Sequence, residues 1–255
     1  MPAATETSPS PALSRYNLMH PIRWVPPAAT ALLDVGCNVG AFLQHCREVY
    51  PALRLAGVEI NAEALEAARR SLPDDVELHR TGAETLPFDD ASFDCVTCIE
   101  VLEHIPAELR ARSLAEIRRV LRPGGRLVLR VPHAGLFAFL DPNNLRFCFP
   151  GLYRALIGRG RRDSGYEGRE SGIVWHHHFA REELRGLAGA GWELETWRTG
   201  GLLLLPAAEI LLWPFYRKNR ADHPLARSIY RVMNFDLGCR YGPASYDILT
   251  IFRRV

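Results

Sequence analysis

The chain has 255 residues, with 31 Lys and Arg against 29 Asp and Glu and a formal charge of +2 at pH 7, a balance too even for a dedicated nucleic-acid surface. Its length suits one large α/β domain, because domains usually hold about 100 to 200 residues. The longest apolar stretch, Gly201 to Trp213, is interrupted by Pro206 and Glu209 and falls short of the ~20 residues of a spanning helix, while six cysteines at 37, 46, 95, 98, 148 and 239 lack the dense spacing of a disulfide scaffold.

In chain order, residues 1–14 are rich in Pro, Ser, Ala and Thr without the basic start or apolar run of a secretory signal, so a disordered tail on a cytoplasmic protein is expected. From residue 31 short apolar runs alternate with amphipathic ones, the pattern of a parallel sheet covered by helices. Strands are predicted at Ala31–Val35, Leu53–Glu59, Val76–His79, Phe93–Ile99, Arg126–Val131, Trp192–Thr199 and Tyr246–Arg253. Helices with one apolar face are predicted at Ala41–Val49, Ala62–Ser71, Ala107–Leu121 and Arg181–Ala190, with Asn61 as an N-cap. Arg122-Pro123-Gly124-Gly125 reads as a tight turn after the third helix. Cys95 and Cys98 form a C-x-x-C inside a strand, where residues three apart face opposite ways, so two buried thiols are expected. Segments 134–175 and 200–244 read as insertions forming a lid on a single domain, 15–255.

The first strand and its turn read Leu32-Leu33-Asp34-Val35-Gly36-Cys37-Asn38-Val39-Gly40, and Ala41-Phe42-Leu43 opens a helix. Such a turn brings backbone N–H groups close to a ligand. A dinucleotide fingerprint starting at Gly36 needs a glycine where Asn38 stands. Read as D-x-G-x-G-x-G, the stretch matches at Asp34, Gly36 and Gly40, and asparagine at 38 is a mild replacement because it tolerates positive φ. The second strand ends Gly57-Val58-Glu59, and an acidic side chain there can accept both ribose hydroxyls of an adenosine-containing ligand.

With Gly82-Ala83-Glu84-Thr85-Leu86-Pro87-Phe88, Ser92-Phe93-Asp94-Cys95-Val96, Glu100-Val101-Leu102-Glu103-His104-Ile105 and Leu121-Arg122-Pro123-Gly124-Gly125 following in order, residues 30 to 132 resemble the class I S-adenosylmethionine-dependent methyltransferases of the small-molecule, methyltransferase-11-like type. The resemblance implies a Rossmann-like, seven-stranded, mostly parallel sheet with helices on both faces, and S-adenosyl-L-methionine as cofactor. The cofactor-binding residues it implies are Asp34, Gly36, Asn38, Gly40, Glu59, Ile60, Ala83, Glu84, Cys98 and Glu100. Where the family usually has an aspartate for the adenine amino group this chain has Gly82, so Glu84 or backbone must substitute.

Such an enzyme has to align an acceptor with the S–CH3 bond, exclude water and, for an oxygen acceptor, remove a proton. The candidate bases are His133, just after the fifth predicted strand, and His176 and His178 of Trp175-His176-His177-His178-Phe179. In an extended run 176 and 178 share a face and His177 points away. The resemblance supports them, since similar methyltransferases often carry a histidine near the acceptor before the corresponding helix. Glu100, Glu103 and His104 also resemble a metal-binding motif of some quinone-precursor and RNA 2′-O-methyltransferases, but no metal is expected here. Segment 201–220, apolar and aromatic with Arg217, Lys218 and Arg220 at its edge, suggests a peripheral membrane contact and tilts the acceptor toward a hydrophobic or lipid-linked small molecule. Two alternatives stay open: a metal-assisted RNA 2′-O-methyltransferase, and a membrane-associated scaffold that binds the cofactor without catalysis.

Overall fold

A computed structural model describes residues 19–136, 138, 177–202, 204, 211–212, 215 and 223–255. The expected tail, Cys148, His176, most of the first insertion and most of 201–220 lie outside the described residues. The strands are β1 (Ala31–Val35), β2 (Arg54–Val58), β3 (Glu77–His79), β4 (Phe93–Ile99), β5 (Leu121–Pro132), β6 (Trp192–Gly200) and β7 (Asp247–Arg254). They form one sheet of order β3-β2-β1-β4-β5-β7-β6. The first five pair in parallel, and β7 runs antiparallel between β5 and β6. All five residues of β1 are buried, as a parallel strand covered on both faces requires.

Helices α1 (Ala41–Val49), α2 (Ala62–Ser71) and α5 (Pro224–Gly238) pack on one face, through Leu43, Leu65 and Leu237. Helices α3 (Ala107–Val120) and α4 (Arg181–Ala188) cover the other, through Leu114, Ile117 and Leu184. Cys95 belongs to the first core and Cys98 to the second, both fully buried, so the C-x-x-C spans the sheet. Asn61 caps α2 as its sequence suggests: Oδ1 accepts from the N–H of Glu63 at 3.0 Å and of Ala64 at 3.1 Å, an arrangement worth about 1 kcal/mol.

Several ends shift by one or two residues from the sequence-based expectation, and the largest difference is at the start of β5. α3 stops at Val120, and Leu121 already pairs with Phe93 in β4. The Arg122–Gly125 turn is therefore an irregularity inside β5, after which Arg126 pairs with Cys95. Pro123 has no N–H to give the ladder and Gly124 takes a φ of 78°, so the chain loops out and rejoins the same neighbour. Of the second insertion, the described part holds α5, which lies on the sheet as a packed helix. No helix among the described residues is long and apolar enough to cross a membrane.

Candidate active site

The parallel strands deliver three segments to one edge of the sheet: the loop after β1, the turn after β4 and the residues after β5. In the first, the N–H groups of Gly36 and Cys37 both donate to Val58 O, at 2.8 and 3.0 Å, which pins the loop to the end of β2. Gly36, Asn38 and Gly40 have φ of 76°, 49° and 84°, so Asn38 does take the left-handed conformation that makes it a tolerable stand-in for glycine. A Cβ on Gly40 would lie 2.6 Å from Leu72 Cδ1, and one on Gly36 would overlap Val101. The loop is held as closely by packing as by backbone conformation.

Glu59 closes this loop. Its Oε2 accepts from Asn38 N at 3.0 Å and its Oε1 from Asn61 N at 2.8 Å. A carboxylate has about four lone-pair sites, so each oxygen keeps capacity for a further donor, the arrangement a vicinal diol can use. Asp34 lies underneath. It is 3 % exposed and accepts from Thr97 Oγ1 at 2.6 Å. Burial pushes its carboxyl up to about 7, against the Thr97 bond and with help from the charge on Glu59. Asp34 thus supports the loop from below, and Thr97, its partner, was not anticipated from sequence.

After β3, Ala83 and Glu84 are both buried. A Cβ on Gly82 would meet the Glu84 carboxylate, 2.7 Å from Oε1; the Glu84 head group fills the space that a side chain at 82 would take. Ile60 packs against the core. The Cys98 side chain is fully buried and its thiol is pushed well above the usual range by burial, which leaves its backbone as the part able to line a ligand. Glu100 follows β4 with a φ of 55°. Its N–H donates to Arg130 O at 3.0 Å, and its Oε1 accepts from Arg130 Nε at 2.8 Å. Among the described residues no group of three or more His, Cys, Asp and Glu side chains is arranged to hold a metal ion.

His133 follows β5 and forms a bridge with Phe179. Its Nδ1 lies 2.9 Å from Ser245 O. A carbonyl oxygen can only accept, so Nδ1 is the donor in this pair and Nε2 is the nitrogen left for another partner. The ring borders a cleft of about 470 Å³ lined also by Leu136, Trp197, Thr199, Gly242 and Pro243, within the size range of small-molecule sites. Gly135 permits this closeness: a Cβ there would lie 2.5 Å from Pro243 O and 2.8 Å from His133 Nδ1. His177 is engaged elsewhere, its Nε2 2.7 Å from Glu183 Oε1 in the first turn of α4. The His178 ring stands against Tyr246, centroids 6.2 Å apart, and does not line the cleft.

A doubly wound sheet with an antiparallel β7, a glycine-bearing loop after β1 and an acidic side chain after β2 defines the class I methyltransferase architecture. Residues 33–129 match the family model described as Methyltransferase domain, and the chain carries a class I S-adenosylmethionine-dependent methyltransferase domain, with S-adenosylmethionine as its cofactor. O-methyltransferase cnsE of Penicillium expansum is 38% identical over 113 residues, 42% of this chain and 40% of that protein. Phthiotriol/phenolphthiotriol dimycocerosates methyltransferase of Mycobacterium leprae is 35% identical over 146 residues, 54% of this chain and 48% of that protein. The chain thus spans less than half the length of these curated relatives. In fold it is similar to the PH0226 protein of Pyrococcus horikoshii OT3, with a TM-score of 0.57 at 20% identity, covering 100% of this chain and 96% of that one.

Proposed function

We propose that the chain transfers a methyl group to an oxygen of a small hydrophobic or lipid-linked acceptor held in the His133 cleft. The observation that carries this reading is the Glu59 carboxylate, which binds the loop at Asn38 and the α2 cap at Asn61 with one oxygen each and still offers both to a sugar diol. Bound S-adenosylmethionine supplies an electrophilic methyl group on a positively charged sulfur. The chain's own residues do the rest. Loop 36–40 and Glu59 orient the nucleotide, and the Glu84 carboxylate, lying over Gly82, faces the base. Leu136 and Trp197 give the cleft an apolar wall that displaces water from the acceptor. His133 takes the acceptor proton on Nε2 while Ser245 O fixes its tautomer.

A hydrophobic acceptor agrees with the Trp197 and Leu136 lining and with the phthiotriol and phenolphthiotriol dimycocerosates named for the Mycobacterium leprae relative. Oxygen as the acceptor atom agrees with an imidazole beside the cleft and with the printed name of the Penicillium relative. Calorimetry with S-adenosylhomocysteine tests the first half. Glu59→Ala is expected to weaken binding at least about 100-fold, from the loss of two charge-assisted hydrogen bonds. Methyl-labelled cofactor offered to fractionated lipid, small-molecule and RNA pools tests the second. His133→Gln is expected to stop transfer to the lipid or small-molecule pool while leaving S-adenosylhomocysteine bound. No binding heat from folded protein, or full activity in His133→Gln with loss in His178→Gln, sinks the respective half.

A further inference from the structure

Helix α5 buries Ala226 and Leu237 but leaves Leu225, Val232 and Phe235 at 56, 49 and 74% exposure. At about 100° per residue these three fall in one band, with Ser228 between them and Arg227 and Arg231 along one flank. A band of this kind is costly in water, and its basic flank limits what can cover it. At the C-terminal end of the helix, where Gly200 packs against Leu237 O, three more arginines gather. Arg198 lays its guanidinium 5.4 Å from the Trp24 ring centroid, and its Nε is buried without a hydrogen-bond partner. Burial first, then the charges of Arg240 and Arg23, hold it below the ordinary arginine value. Among the described residues none of Arg23, Arg198, Arg227, Arg231 and Arg240 pairs with a carboxylate. Among the described residues, two positive charges on α5 and three near its C-terminal end thus lack a carboxylate partner, in a chain whose net charge is only +2.

We propose that α5 and the arginines at its end form a docking surface for an anionic lipid bilayer. Phosphate alone would engage the guanidinium groups and leave Leu225, Val232 and Phe235 in water. A bilayer interface satisfies both, taking the apolar band into the acyl boundary while arginines reach the headgroups. The helix leads through Arg240 and Tyr241 to Gly242 and Pro243, which line the cleft, so docking brings the rim of the cleft to the lipid surface. Only this last step rests on the methyl-transfer reading.

The test is flotation of the full chain with vesicles of phosphatidylcholine alone, or with about one-third phosphatidylglycerol, in low and high salt and with inorganic phosphate as competitor. Binding is expected to the anionic vesicles only and to fall with salt. With each arginine worth about fivefold, Arg227→Gln with Arg231→Gln should weaken it about 30-fold. Leu225→Ser with Phe235→Ser should abolish it, while Arg70→Gln on the exposed side of α2 changes nothing. S-adenosylhomocysteine binding, measured on every variant, is expected to be intact and shows that the fold survives. Equal binding to neutral vesicles, or binding untouched by both double variants, overturns the proposal. So does a concentration-dependent dimer that Phe235→Ser dissolves in a protein that never floats, since the band then belongs to a second copy. Vesicle binding by a protein that ignores S-adenosylhomocysteine would keep the docking surface and remove the enzymatic reading.

Discussion

Asp34 is placed where its charge costs the fold stability, and Asp34→Asn should reveal that cost as a function of pH. The side chain is 3 % exposed, and burial raises its carboxyl from 3.8 to about 7. Between these values the unfolded chain has released the proton and the native protein has not. The native state therefore binds more protons, and stability falls as pH rises from about 4 to about 7 and is flat above. At about 1.4 kcal/mol per pH unit the full penalty is on the order of 4 kcal/mol. About 1.6 kcal/mol of it is already present at pH 5. The advantage of the variant should thus grow by about 3 kcal/mol from pH 5 to pH 9. Asparagine keeps an oxygen for the Thr97 hydroxyl, 2.6 Å away in the parent, and any cost of placing its amide does not change with pH. His20, held down at about 3 by burial and then by the charges of Arg130 and His45, titrates alike in both proteins and cancels in the comparison. Urea unfolding of the nucleotide-free proteins at pH 5, 7 and 9 measures the difference. A gap that stays constant across the three, or narrows upward, refutes the reasoning.

Two further substitutions probe the site. Gly135→Ala puts a methyl group 2.5 Å from Pro243 O and 2.7 Å from Ser245 O. It should push the 242–245 segment off His133 and lower methyl transfer about tenfold, as a displacement of about 1 Å can, with S-adenosylhomocysteine affinity unchanged by calorimetry. Gly82→Asp sets a second carboxylate against that of Glu84 and should weaken nucleotide binding. Adding Glu84→Ser should restore it, giving a coupling of about 1 kcal/mol or more in a double-mutant cycle, and independent effects would show that the two positions do not share one space.

The elements with local signals were legible in the sequence. β1, β4, α1 and α2 fall on their expected residues because glycines at 36 and 40 and the Asn61 cap mark their ends. The antiparallel β7 lying between β5 and β6 has no such mark, since strand order depends on partners far along the chain. α5 escaped notice because its apolar residues lie on two faces: Ala226 and Leu237 turn inward, Leu225, Val232 and Phe235 outward, and the helical period is blurred. At the site, the loop residues and Glu59 were readable as a motif. Trp197, Thr199 and Ser245 were not, because they reach His133 only through the pairing of β5, β7 and β6. The depth of Asp34 was equally hidden; a motif shows which residue is present, and only packing shows whether water reaches it.

The acids after β4 illustrate how packing decides between readings that letters leave open. Glu100, Glu103 and His104 invite a cation, and the fold supplies one from β5. Arg130 Nε is 2.8 Å from Glu100 Oε1 and 3.9 Å from Asp247 Oδ2. Burial opposes the charge on Arg130, but Glu100 and Asp247 outweigh it and hold the guanidinium above its ordinary value. One guanidinium cannot neutralise three carboxylates in so dry a place. Glu103, fully buried, settles the balance by holding its proton well above the usual carboxylate range, through burial first and then the charge on Glu100. The positive φ of Glu100, 55°, costs roughly 1–2 kcal/mol for a residue with a side chain, and the two bonds to Arg130, one from backbone and one to side chain, keep it there. A further cation would have to break the Arg130–Glu100 pair or ionise Glu103 away from water, and either step carries a penalty of about several kcal/mol.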